Sequence, residues 1–163
     1  MPARCLDCEH MDPRAVRKIL VPTDFSELSG EAVQTAVAFA KVFGASIDLV
    51  HVFVEPAYVL PPPIDMASFP FDVAQILERV QIGLDAERDR VKDAGVTVTT
   101  TTLSGRAAPE IVAHAKKIGA DLIVMGTHGR SGFQHALLGS VAERVVHHSP
   151  CPVLVVPMRQ PPG

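Results

Sequence analysis

The residues best suited by type and spacing to chemistry are Gly126-Thr-His-Gly129, nine intervening residues, then Gly139-Ser140. An apolar strand-like run, Asp121-Leu-Ile-Val-Met125, precedes them, and a helix-like run, Ser140-Val-Ala-Glu-Arg-Val-Val146, follows. Strand, glycine-rich loop and helix start, in that order, build a cradle for an anion. Glycine carries no Cβ, so its backbone N–H can approach a phosphate closely. The opening turn of a helix adds free N–H donors and the positive end of its dipole. The chemistry implied is the holding of nucleotide phosphates.

Other candidates carry weaker signals. Ser140 either gives its hydroxyl to a phosphate or caps the helix that it opens. Asp24, just after an apolar run, is a ligand or a turn residue. Arg130 is a phosphate contact or a solvent-facing loop charge, and Met125 a core residue or a pocket wall. Ser131 and His135 lie close in sequence, but no Gly-x-Ser-x-Gly elbow surrounds them. His147 and His148 end a helix, where a cation suits the dipole. No Gly-x4-Gly-Lys-[Ser/Thr] loop is present, so rapid phosphoryl transfer is not supported. Cys5-x-x-Cys8-x-His10 offers zinc-ligand types, but no second such pair follows downstream. It reads as a loose tail, and Cys151, between two prolines, as structural.

The elements that must position these residues alternate along the chain. Lys18–Pro22 is a short apolar strand. A helix over 29–43 has Ala32, Ala36, Phe39, Ala40 and Phe43 on one face and Gly44 as its stop. A strand over 46–54 and a proline-rich loop over 55–70 follow. A long helix spans 72–94, its mixed charges from Glu78 to Asp93 reading as an exposed face. A β-branched strand spans 96–103 and a helix 109–118, with proline in its first turn. A strand over 121–125, a helix over 140–147 and a last strand over 152–156 complete the pattern. Apolar strands separated by helices imply one α/β domain with a five-stranded parallel sheet and helices on both faces. Ligands in such sheets sit beyond the carboxyl ends of the strands, where strand order reverses. The unusual loops, Pro22-Thr-Asp24 and Gly126-Thr-His-Gly129, both follow strand ends.

Composition agrees. The chain has 163 residues, 47% hydrophobic and 20% charged, with a net charge of −3. That size suits one domain with a real core. The charge makes no case for nucleic acid or an anionic membrane. No apolar run approaches the roughly 20 residues of a spanning helix, and the first ten residues lack a signal-peptide core. Three cysteines fit a reducing compartment. The expectation is a cytoplasmic protein.

The chain resembles the universal stress protein family, in its ATP-binding branch. Ile19-Leu-Val-Pro-Thr-Asp-Phe-Ser26 is similar to the opening strand and turn, and Leu49-Val-His-Val52 to the second strand. Leu122-Ile-Val-Met-Gly-Thr-His-Gly-Arg130 with Leu138-Gly-Ser-Val-Ala142 matches the G-x2-G-x9-G-[S/T] signature, and Ser149-Pro-Cys-Pro-Val-Leu-Val-Val-Pro157 the closing strand. The likeness covers residues 17–157, leaving 1–16 as a flexible extension and 158–163 as a tail. It implies a Rossmann-like, doubly wound fold. By this resemblance Pro22, Asp24 and the Val52 backbone surround adenine and ribose, and Met125, Gly126 and His128 line the nucleoside pocket. Gly129, Arg130, Gly139, Ser140 and Val141 hold the phosphates. It further implies ATP with Mg²⁺ or Mn²⁺, no dedicated metal ligands in the protein, and a homodimer paired through the last strand. Ala142 stands where some ATP-binding members carry a second hydroxyl, so that donor is absent here.

Two functions from different classes are consistent with these residues. One is an ATP-sensing regulatory module with at most slow hydrolysis. The other is a nucleotide-free dimeric interaction protein of the same fold. A true ATPase or a nucleotidyl transferase is a third reading; the HxGH signature common in the latter is missing.

Overall fold

The computed structural model describes residues 16–54, 73–127 and 138–157. Nine elements alternate: β1 (Lys18–Pro22), α1 (Glu27–Phe43), β2 (Ser46–Phe53), α2 (Val73–Asp93), β3 (Val98–Ser104), α3 (Ala107–Ile118), β4 (Leu122–Gly126), α4 (Ser140–His148) and β5 (Val153–Val156). The strands form one sheet in the order β3-β2-β1-β4-β5, every pair parallel. The expected doubly wound α/β architecture is therefore present. Among the described residues, no helix is long and apolar enough to cross a membrane.

The middle of the sheet is apolar on both sides because it is covered on both sides. Ile19, Leu20 and Val21 are fully buried, and successive side chains alternate between faces. Ile19 and Val21 join Ile47, Leu49 and Val124 under Ala32, Ala36 and Ala40 of α1 and Val80, Leu84 and Val91 of α2. Leu20 joins Val50, Ile123 and Met125 under Ile111 and Ala115 of α3 and Ala142 and Val145 of α4. The chain runs outward from β1 to β2 and β3, then crosses back to β4 and β5. Strand order thus reverses between β1 and β4, and a crevice opens beyond their carboxyl ends.

Helix boundaries follow their caps. α1 begins at Glu27, two residues before the expected start. Ser26 is its N-cap (φ −76°, ψ 162°), and Ser26 Oγ accepts from Ser29 N at 3.2 Å. Gly44, left-handed at φ 67°, ends the helix as expected.

Two expectations about burial fail. Phe39 and Phe43 stay 36% and 41% exposed and pack on each other, with ring centroids 5.9 Å apart. Leu28, Ser29 and Val33 are buried on α1 in addition to the expected alanines. An alanine-lined face lets the helix sit close to the sheet, which leaves no room for large rings beneath it. On α2, Glu87 is not part of an exposed charged face. It is 8% exposed and shares a buried stripe with Val80, Leu84 and Val91. The proline-rich stretch 55–70 and the Cys5/Cys8/His10 segment lie outside the described residues.

Candidate functional site

The crevice holds a cavity of about 390 Å³, within the range of small-molecule sites, roughly 300–1,000 Å³. Its walls come from the carboxyl ends of three strands and the starts of three helices. Of the residues singled out in the sequence, Pro22, Asp24, Val52, Met125, Gly126, Gly139, Ser140 and Val141 all line it. His128, Gly129 and Arg130 lie outside the described residues.

One wall is the turn from β1 into α1. Thr23 N donates to Val50 O at 2.8 Å, and His51 Nδ1 lies 2.8 Å from Thr23 O. A carbonyl only accepts, so the proton is assigned to Nδ1. Phe25 sits at φ 62°, a conformation uncommon for an aromatic residue. Three contacts hold it there. Phe25 N donates to Thr23 Oγ1 at 3.1 Å, its ring stacks on His51 at a centroid distance of 4.7 Å, and it packs on Gly83 of α2. A Cβ at Gly83 would come within 2.8 Å of the ring, so this glycine makes the seat. Asp24 then faces the cavity. Its Oδ1 accepts from Ser26 N at 3.1 Å and from Ser26 Oγ at 2.6 Å, tying it to the cap of α1.

The opposite wall is β4 and the start of α4. Gly139 is the N-cap (φ −72°, ψ 155°), and among the described residues no side chain caps the helix. Ser140 is the first helical residue and not the cap, so the capping role considered for it falls to the Gly139 backbone. Gly139 N donates to Thr127 O at 2.7 Å and Glu143 N to Gly139 O at 2.9 Å. The N–H groups of Ser140, Val141 and Ala142 belong to the turn that an α-helix leaves without intrahelical partners, and all three residues line the cavity. Gly126 serves packing as well: a Cβ there would meet Leu28 Cγ at 2.9 Å. Met125 is both core and wall, 5% exposed.

Sequence reasoning missed several wall residues. Thr23, between the named Pro22 and Asp24, was findable. His51 was quoted only as part of a strand. Ser29 hides inside α1, and Ala107 and Ile111 come from α3, far along the chain. Deeper on the α3 side lies a buried pair, His114 Nε2 donating to Asp48 Oδ2 at 3.3 Å, with Thr101 Oγ1 on Asp48 Oδ1 at 3.3 Å. Among the described residues, no three His, Cys, Asp or Glu side chains are grouped to hold a metal.

A doubly wound parallel sheet with a cavity at its switch point, Asp24 on one wall and a glycine-capped helix start on the other, defines an α/β protein of Rossmann-like type. Comparison with known proteins narrows the class. The universal stress protein family profile matches residues 15–157. A universal stress protein of Methanocaldococcus jannaschii, MJ0531, is 42% identical over 141 residues, covering 86% of this chain and 81% of that one. The chain belongs to the universal stress protein family. The solved structure of M. jannaschii MJ0577 superposes with a TM-score of 0.79 at 31% identity, covering 90% of this chain and 99% of that one. A universal stress protein solved in complex with cAMP superposes with a TM-score of 0.65 at 26% identity, covering 87% and 97%.

Proposed function

We propose that the chain binds an adenine nucleotide in this cavity, ATP with Mg²⁺ or Mn²⁺, and acts as a nucleotide-dependent regulatory module of the cytoplasmic stress response. The single observation that carries the reading is the start of α4, which has glycine as its N-cap and opens onto the cavity. Free N–H donors and a positive dipole end fit phosphate oxygens. On the far wall, Asp24 suits ribose hydroxyls, which donate to a carboxylate, and Pro22 and Val52 offer an apolar edge for the base. The complex of a family relative with cAMP supports an adenine nucleotide as the ligand class. Gly129 and Arg130 are the proposed remainder of the phosphate loop. In this proposal the metal arrives with the phosphates. Calorimetry with ATP–Mg²⁺ tests the reading: saturable heat is expected, and no heat at millimolar ATP overturns it.

The second reading, a nucleotide-free dimeric interaction protein, draws on β5. Its residues Val153, Leu154, Val155 and Val156 are all apolar and only half-buried, at the edge of the sheet. An apolar edge invites pairing with a second copy. The homodimer is part of the proposal in either reading. Sedimentation should show a dimer at micromolar concentration that Val155→Lys weakens; a wild-type monomer there would reject it.

A further inference from the structure

Glu87 is a buried carboxyl on α2 that the cavity itself does not use. Its Oε1 lies 3.1 Å from Thr23 Oγ1, and its Oε2 is buried with no hydrogen-bond partner. Counting protons in the hydroxyl network decides its state. Ser26 Oγ gives its one hydrogen to Asp24 Oδ1 at 2.6 Å, and Ser29 Oγ gives its own to Ser26 O at 2.9 Å. Thr23 Oγ1 already accepts from Phe25 N and lies 3.2 Å from Ser29 Oγ as well as 3.1 Å from Glu87. A hydroxyl has one hydrogen to donate. If Glu87 were ionised it would take that hydrogen, leaving the Thr23–Ser29 contact without one and a buried anionic oxygen without a partner. If Glu87 keeps its own proton on Oε1, it donates to Thr23 and Thr23 donates to Ser29, so both of those contacts are filled and the unpartnered Oε2 carries no charge.

We propose that Glu87 is a positioning residue for the cavity: as a neutral acid it donates to Thr23 Oγ1, and through the Thr23–Ser29–Ser26 chain it holds the turn that presents Asp24. This rests on the nucleotide-binding reading for its effect on affinity, but the protonation and the hold on the turn do not. The charged groups around Glu87 agree. Burial raises its carboxyl above the ordinary 4.5, the Thr23 hydrogen bond and Arg90 on the next turn of α2 pull it back, and Asp24 across Thr23 raises it again. Two carboxylates this close oppose each other's ionisation. His51 of β2 touches the same turn through the Thr23 carbonyl, and a His51→Gln control separates its effect from that of Glu87. The other buried titratable pair, Asp48 and His114, involves α3 on the opposite face of the sheet, where Val50 packs.

Glu87→Gln mimics the neutral acid in shape and in its donor; Glu87→Ala removes it. In nucleotide-free protein at neutral pH, infrared spectroscopy should show a protonated-carboxyl band that Glu87→Gln removes. Amide exchange at Phe25 should stay slow in Glu87→Gln and accelerate in Glu87→Ala. Nucleotide affinity of the wild type should fall as pH rises through the Glu87 titration, by at most about tenfold per pH unit for one linked proton. Glu87→Gln should bind as the wild type does at low pH and lose that dependence. An ionised Glu87 at neutral pH, or unchanged Phe25 exchange in a folded Glu87→Ala, overturns the proposal. If Glu87→Ala does not fold, a Glu87→Gln variant retaining the wild-type pH dependence overturns it instead. Absence of nucleotide binding in the wild type would sink the nucleotide reading alone, because the band and the exchange are read without ligand.

Discussion

The two walls of the cavity are built on opposite principles. In the β1–α1 turn, the polar groups described above are spent on the protein itself. Thr23 is bound at its amide, carbonyl and hydroxyl, Phe25 is held at φ 62° by a hydrogen bond, a ring stack and Gly83, and Asp24 is tied to Ser26. At the start of α4, by contrast, a glycine stands at the cap and, among the described residues, no side chain caps the first N–H groups. The difference teaches a division of labour. The first wall is over-determined, so it fixes position before any ligand arrives. The second is under-satisfied, so its donors are answered by whatever enters.

Five substitutions break or sharpen that contrast. The largest effect is expected from Ser140→Asp, which supplies the missing anion from the protein. A carboxylate in the first helical turn is worth about 0.3–1 kcal/mol of helix stability, while repelling phosphate at the same spot. ATP affinity should fall at least about 100-fold, near 2.7 kcal/mol, as melting temperature rises. Calorimetry paired with a thermal melt reads both, and unchanged affinity would place the phosphates elsewhere.

Thr23→Val keeps the shape of the first wall but removes its hydroxyl. Phe25 N–H and the Ser29 and Glu87 oxygens lose a partner in a buried setting, which costs about 1–3 kcal/mol. Urea denaturation should show this loss, and a variant as stable as the wild type would show the turn to be less determined than its hydrogen bonds suggest.

Ser26→Ala removes a cap that α1 has and α4 lacks. About 1 kcal/mol of stability should go, visible as a lower urea midpoint. The matching Gly139→Ser change should gain little or nothing in stability if the α4 donors are already answered by ligand or water, and its comparison with Ser26→Ala measures the contrast directly.

The smallest effect at any one pH is at Glu87. Its folded value is raised by burial above 4.5, so the neutral form is the one the fold favours. Its contribution is fully present below about 4.5 and is lost as pH rises through the raised value. Wild-type stability should therefore decline relative to Glu87→Gln across that window, and parallel stability curves for the two proteins would contradict the assignment.

How much of this was legible in the residues varies by element. β1 and β4 were plain because strands covered on both faces are nearly continuous apolar runs, β2 because Asp48 and His51 interrupt only briefly a run of Ile, Leu, Val and Phe, and α1 was closed by Gly44. The rim residues Gly126, Gly139 and Ser140 were legible from the joint spacing of the glycines between a strand and a helix start, and Pro22 and Asp24 from their place after a strand end together with the family resemblance. Phe39 and Phe43 were misjudged because a helical period marks a face but not how near that face lies to the sheet. Glu87 was misjudged for a related reason: a charge among charges looks solvated until a partner such as Thr23, 64 residues earlier, is seen beside it.

The order of elements, their approximate ends and the glycines at the end of β4 and the start of α4 were set by the sequence alone, since each depends on residues within a turn or two along the chain. The strand order β3-β2-β1-β4-β5, the seat of Phe25 on Gly83 and the hydroxyl chain from Glu87 to Ser26 were decided only by tertiary structure. They join α2 to the β1–α1 turn and β4 to β1 across long stretches of chain. Burial and hydrogen-bond satisfaction at such contacts depend on which surfaces meet, and no local period records that.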